Sequence, residues 1–138
     1  MAFDQTLTTS FKQEILLGVH DLDTDTLKIA LYLATADLGA DTTVYTATGE
    51  TSGTGYTAGG NVLTGVTVET SGTTAFVDFA DATWNPANFT ARGALIYNVT
   101  KSNKAIAVLD FGSDKVATNT FVVTMPSNTV SSALIRIS

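Results

Sequence analysis

Short segments rich in β-branched and aromatic residues recur along this chain at about ten-residue spacing, each closed by a turn signal. That rhythm limits the fold more than any other feature. In TLKIALYL (26–33), Leu27, Ile29, Leu31 and Leu33 alternate with Lys28, Ala30 and Tyr32, which is strand spacing. NVLTGVTVE (61–69), TAFVDF (74–79), ATW (82–84), TARGALIYN (90–98), KAIAVLDF (104–111), NTFVVTM (119–125) and SALIRIS (132–138) continue the series. Between them stand Ser71-Gly72, Asn85-Pro86, Ser102-Asn103, Gly112-Ser113-Asp114 and Pro126-Ser127-Asn128. About seven or eight short strands of this kind predict an all-β fold, an antiparallel β-sandwich of jelly-roll or immunoglobulin-like type. Residues 99–103 read as a hairpin loop, which would put Leu95, Tyr97, Ala105, Ala107 and Leu109 on one face. Trp84 and Phe89 are the expected aromatic plugs of the core.

Only one helix is expected. Ser10 offers an N-cap and Gln13 completes an S-x-x-Q capping box. Phe11, Ile15 and Leu16 share a helical face, and Gly18 can end the turn, giving a helix over about 11–17. Residues 1–9 are polar and Thr-rich, without period, and read as an extended N-terminal arm whose apolar side chains include Phe3 and Leu7. The rest, 10–138, reads as a single domain, and 138 residues is an ordinary length for one core.

Composition narrows function by exclusion. With no cysteine, the chain has no disulfide, no thiolate zinc site and no cysteine nucleophile. Only 14% of residues are charged, against about 25% in an average soluble domain, and mean hydropathy is positive at +0.22. Large apolar or hydroxyl-covered surfaces follow, and these suit an assembly better than a free monomer. Net charge is −6 and the seven bases are scattered singly, so no basic stripe for nucleic acid exists. No apolar run reaches the length of a membrane span. MAFDQTLTT lacks the basic and apolar regions of a signal peptide, which suggests synthesis in the cytoplasm without export.

The run from Thr42 to Gly72 is Thr- and Gly-rich, with two acids but no base, histidine or cysteine. It favours extended backbone joined by tight turns and offers little for bond-making chemistry. Its centre, Gly53 to Gly60, lacks the Lys-Ser/Thr of a phosphate-binding loop and the spacing of a dinucleotide fingerprint. The alternative use is contact: Gly53, Gly55 and Gly59 would let backbone approach a neighbour, with Tyr56 as anchor. Together with Phe3 and Leu7 these are the candidate protein-contact residues.

Other matches to chemical motifs fail on inspection. Asp21, Asp23 and Asp25 open like a calcium loop, but Thr26 stands where glycine is needed and Tyr32 where a bidentate glutamate is needed. They read as an acidic turn. His20, the only histidine, follows the helix and reads as structural. Asp110-Phe111-Gly112 spells a kinase magnesium motif without the other kinase signatures. Asp78 and Asp81 are the one carboxylate pair a glycan hydrolase could use, and only Trp84 hints at a sugar cleft. Asn88-Phe89-Thr90 and Asn98-Val99-Thr100 fit the glycosylation pattern by chance in an Asn/Thr-rich chain. No catalytic residue, cofactor site or metal site is expected.

Several words, in order, resemble a family of small virion structural proteins of tailed bacteriophages. They are FKQEILLGVH (11–20), LKIALYLATADLGADTTVYTATGE (27–50), SGTGYTAGGNVLT (52–64), TAFVDFADATW (74–84), ARGALIYN (91–98) and AVLDFGSDK (107–115). The resemblance implies a virion component, and more finely a capsid decoration or cement protein on the outer shell. Its partner would be the major capsid protein, and it would be a homo-oligomer. The alternative is a tail fibre or baseplate accessory module that contacts host surface glycans, with Trp84 or the tyrosines stacking on sugar. The resemblance brings no catalytic residues.

Overall fold

The computed structural model describes residues 3, 5–126 and 132–137. It is an all-β, sandwich-like antiparallel fold with one short helix. In chain order the elements are β1 (Thr6–Leu7), α1 (Thr9–Leu16), β2 (Leu27–Tyr32), β3 (Asn61–Val62), β4 (Thr67–Ser71) and β5 (Thr74–Asp78). β6 (Ala82–Trp84), β7 (Phe89–Asn98), β8 (Lys104–Ala117), β9 (Phe121–Val123) and β10 (Ile135–Ile137) follow. They form a five-stranded sheet in the order β1-β8-β7-β2-β3, a three-stranded sheet β10-β5-β4 and a two-stranded sheet β6-β9.

The five-stranded sheet is buried on both faces. Leu27, Ile29 and Leu31 of β2 enter the main core, with Phe11, Trp84, Phe89 and Ile96. The intervening Ala30 and Tyr32 enter a second core, with Leu38, Leu95, Tyr97 and Val108. The period-2 pattern of β2 therefore separates two apolar layers rather than core from solvent. Trp84 and Phe89 do plug the main core, and they pack edge to face.

Several expected boundaries move, each for a local reason. The helix begins earlier: Thr8 is the N-cap, its hydroxyl accepting the Phe11 N–H at 3.2 Å, while Ser10 lies inside the first turn. Thr8 is fixed there because its own N–H donates to the Ile106 carbonyl and its hydroxyl to the Ala105 carbonyl. Strand β1 thus runs directly into the helix, and the expected Ser10–Gln13 box is not the cap. Leu16, expected on the buried helix face, is 86% exposed.

The segment 61–69 is two strands, not one. It breaks at Gly65 (φ +60), where the chain leaves the five-stranded sheet for the three-stranded one. The hairpin over 99–103 joins β7 to β8, but a register shift follows Ile96. Tyr97 pairs Ala105 while Ile96 pairs Ala107. Leu95, Tyr97 and Ala105 therefore face the second core, whereas Ala107 and Leu109 face the main one. Of the expected features, the turn at 127–128, the last residue of the final strand segment and residues 1, 2 and 4 of the arm lie outside the described residues.

Candidate functional site

The arm and the glycine loop, which held the candidate contact residues, are both laid against the chain's own body. Leu7 pairs with Ala107 at the edge of the five-stranded sheet and packs on the main core. Phe3 bridges to Leu38, and its ring lies over Gly93, where an added Cβ would come within 2.5 Å of it. A Cβ on Gly53 would lie 2.5 Å from the Asn88 carbonyl oxygen. On Gly55 it would lie 1.7 Å from that of Pro86. Gly59 faces the Tyr97 hydroxyl. The close approach that glycine permits here is to the protein's own backbone. Tyr56 is half-buried, its ring against Phe89 at 5.6 Å and Trp84 at 6.3 Å.

What fastens this loop is a cluster that the sequence did not announce. The Glu50 carboxylate accepts the Tyr45 hydroxyl at 2.6 Å, the Gly59 N–H at 2.7 Å and the Tyr56 hydroxyl. Tyr56 Oη in turn accepts the Leu31 N–H, so the cluster is tied to β2. The Tyr97 hydroxyl donates to the Gly59 carbonyl at 2.6 Å, and that of Tyr32 to the Thr46 carbonyl at 2.7 Å. Tyr45 and Tyr97 stack at 4.8 Å. All four tyrosines of the chain are thus engaged. Burial, and after it the Glu50 charge, raises the Tyr97 phenol to about 12. Burial first and Glu50 next also push the phenols of Tyr32, Tyr45 and Tyr56 well above their ordinary range.

A second polar network anchors the loop after α1. His20 is buried, its Nε2 2.9 Å from Glu14 Oε1 and its Nδ1 3.0 Å from Asn98 Nδ2. Asn98 also donates to Asp25 at 2.8 Å, and Lys101 Nζ lies 3.4 Å from the same carboxylate. Burial acts to raise the Asp25 pKa. Hydrogen bonds from the Asn98 amide and the Asp21 N–H, together with the Lys101 ammonium, outweigh it and hold the carboxyl below the usual range. Asp21 accepts the Asp23 N–H and its own N–H donates to Asp25, so two of the three carboxylates are engaged by the turn's own backbone. Among the described residues no three His, Cys, Asp or Glu side chains group as metal ligands.

The remaining motifs also resolve into local structure. Asp81 accepts the Met125 N–H at 2.7 Å, tying the β6 entry to the end of β9, while Asp78 lies within β5. Trp84 is buried, so it cannot stack on a sugar, and the tyrosine hydroxyls are taken up internally. Asp110 accepts the Gly112 N–H at 2.8 Å and pairs with Arg92 at 3.1 Å. Asn98 is fully buried and its amide engaged, so it cannot carry a glycan in the folded chain.

One open feature of the described residues lies elsewhere, between α1 and the three-stranded sheet. An apolar groove of about 700 Å³ runs there, walled by Phe11, Ile15 and Leu16 on one side and by Val68, Ala75 and Ile137 on the other. Lys12, Asp21, Asp23 and Arg136 also line it. Val68 is 49% and Ile137 58% exposed, and Leu17, next to Leu16, is 69% exposed. Within the three-stranded sheet, Val77 and Ile135 are sealed in the main core, while their face neighbours Val68 and Ile137 are exposed. One signal could have located this site. Consecutive residues on a helix point about 100° apart, so Leu16 and Leu17 cannot both face one core from so short a helix. The arrangement offers apolar area and volume, the properties of a docking surface.

Comparisons of the chain with family models, with curated proteins and with solved structures each find no match. Among the described residues no helix is long and apolar enough to cross a membrane.

Proposed function

We propose that this protein works by contact: it is a virion structural protein of a tailed bacteriophage, a capsid decoration or cement protein that binds the major capsid protein on the outer shell. The observation that carries this reading is the apolar groove beside α1, with Leu16 in its wall and the next residue, Leu17, also exposed. Contiguous exposed apolar area on a folded domain marks a surface that another macromolecule covers. The sequence words that resemble phage structural proteins supply the identity of the assembly. A chain poor in charge, with its four tyrosine hydroxyls engaged internally, supplies the kind of body such a role requires.

A shell swollen by packed genome strains every joint between subunits. A small rigid protein bound at many joints resists that strain through the sum of modest contacts, which is the arithmetic of multivalency. Heads stripped of this protein should release DNA at a lower temperature than intact heads, and adding the purified chain back should restore the difference. Equal release temperatures would remove the stabilising role. A copy number per particle far below that of the shell subunits would move the protein to the tail.

A further inference from the structure

We infer that the pocket between β3 and β6 is a binding site for a neutral, polyhydroxylated ligand of the size of one sugar ring. It shares no lining residue with the groove beside α1, so it is a second site, independent of the contact reading. The pocket measures about 320 Å³ and is lined by residues 61–64 and 80–83. β3 is an outer strand of the five-stranded sheet and β6 belongs to a sheet of two, so each has an edge outside any ladder. The two segments are laced at both ends. The Ala80 N–H donates to the Thr64 carbonyl at 2.9 Å, and the Asn61 amide donates to the Thr83 carbonyl at 3.0 Å. Segments joined this directly leave no width for a third strand between them, which excludes an extended peptide. The volume is at the small end of ligand sites, enough for one ring and too little for a chain.

The polar groups of the lining have bonding capacity to spare. Asp81 gives one carboxylate oxygen to the Met125 N–H, which fixes the group in place. Among the described residues nothing takes its other oxygen, and the Asn61 side-chain oxygen and the hydroxyls of Thr64 and Thr83 are equally without a protein partner. Adjacent hydroxyls of a sugar can donate to the carboxylate and the amide oxygen and both give to and take from the threonines. Bonds to the charged carboxylate are the stronger ones. Val62, 52% exposed, and Ala80 supply apolar contact for the C–H face of a ring. An anion is disfavoured, because the lining holds a carboxylate and no base in a chain of net charge −6. A calcium ion, which takes about six to eight oxygens, would find a single carboxylate.

The test is a nuclear magnetic resonance titration of the isotope-labelled full chain. The probes are glucose, galactose and N-acetylglucosamine, each as the free sugar and as its methyl glycoside, taken to about 50 mM. At least one should give saturable shifts at the amides of 61–64 and 80–83, with a Kd on the order of 1–10 mM. Binding of both forms assigns the end residue of a glycan, and binding of the free form alone assigns a free sugar. Asp81→Asn keeps an oxygen for the Met125 N–H but loses the charge, and should weaken binding by about tenfold or more. Thr83→Val keeps the shape of an exposed strand residue without its hydroxyl, and should weaken binding by about threefold or more. The remaining amide signals report that each variant is folded. Leu16→Glu, in the groove, should leave sugar binding unchanged. No saturable shift at these amides with any of the sugars overturns the inference. So does binding that is unchanged in both pocket variants, or calcium chloride that produces the same shifts at lower concentration than every sugar.

Discussion

Two apolar regions of this molecule are covered in opposite ways. On one face of the five-stranded sheet, Ala30, Tyr32 and Leu95 are sealed beneath the chain's own loop from 33 to 60. The cover is held by Glu50, by four tyrosine hydroxyls and by glycines pressed onto neighbouring backbone. On the other side, α1 and the three-stranded sheet line an open groove at which Leu16, Val68 and Ile137 stay exposed. Both regions are apolar, so burial favours closing either one, at about 25 cal/mol per Å². The difference is that the first supplies partners for every polar group that closure would bury. The second leaves Leu16, Val68 and Ile137 exposed. A loop that looks free in sequence is thus the rigid part, and a helix that looks packed carries the open surface.

The largest effect should come from breaking the sealed side. A Cβ on Gly60 would stand 1.8 Å from the Ile29 carbonyl oxygen at a φ of +80°. Gly60→Ala should cost about 3–5 kcal/mol in chemical denaturation, because backbone on both sides must move. Gly18 has a similar φ of +73° but open space around it. Gly18→Ala should therefore cost only about 1 kcal/mol, the price of a left-handed residue alone. Equal losses at the two positions would mean that the cover over 33–60 is loosely held.

How much of this was legible in the sequence depends on whether the cause was local. The strand rhythm and the aromatic plugs Trp84 and Phe89 were readable, because alternation and turn residues act within a few positions. The cap was misplaced from Thr8 to Ser10 because Thr8 is selected by Ile106 and Ala105, nearly a hundred residues away. The face assignment of Ala107 and Leu109 failed at a single bulge, since one added residue reverses every side chain after it. Glu50 was invisible as a hub because its partners at 45, 56 and 59 meet only once the loop has folded onto β2. The groove was half-legible: Leu16-Leu17 signalled an unburied helix edge, but nothing local said that β4 and β10 would extend beyond it.

A smaller effect should come from loosening the clamp without displacing backbone. Glu50→Gln keeps the shape but turns an amide NH₂ toward groups that also donate, and about 2–3 kcal/mol should be lost. The same clamp predicts the alkaline limit of the fold. An unfolded tyrosine loses its proton near pH 10, whereas Tyr97 holds its proton to about 12 in the folded chain. Above pH 10 the unfolded state therefore binds fewer protons than the folded one. Stability is complete below that point and falls as pH rises toward about 12. Phenolate absorbance should rise together with unfolding rather than before it. In Glu50→Gln, where the neighbouring negative charge is gone, it should rise at lower pH. Tyrosines that titrate near pH 10 in a chain still folded would show that the sealed side is wet.

The smallest effect should fall on the open side, and it is the one that most sharpens the contrast. Leu16→Ser and Leu17→Ser remove apolar side chains that already face water, 86% and 69% exposed. Neither should change monomer stability by more than about 0.5 kcal/mol, measured by denaturation at concentrations low enough to exclude association. Leu16→Ser, in the groove wall, should reduce binding of an environment-sensitive apolar dye to the groove, and Leu17→Ser, outside the lining, should change it less. A loss of about 2 kcal/mol or more would mean that these leucines are packed in the free chain. The molecule would then have two sealed faces, and the apolar face offered to a partner would have to be sought elsewhere. A near-zero loss with diminished dye binding instead leaves an apolar surface that contributes nothing to the fold bearing it, which is the energetic signature of a surface kept for contact.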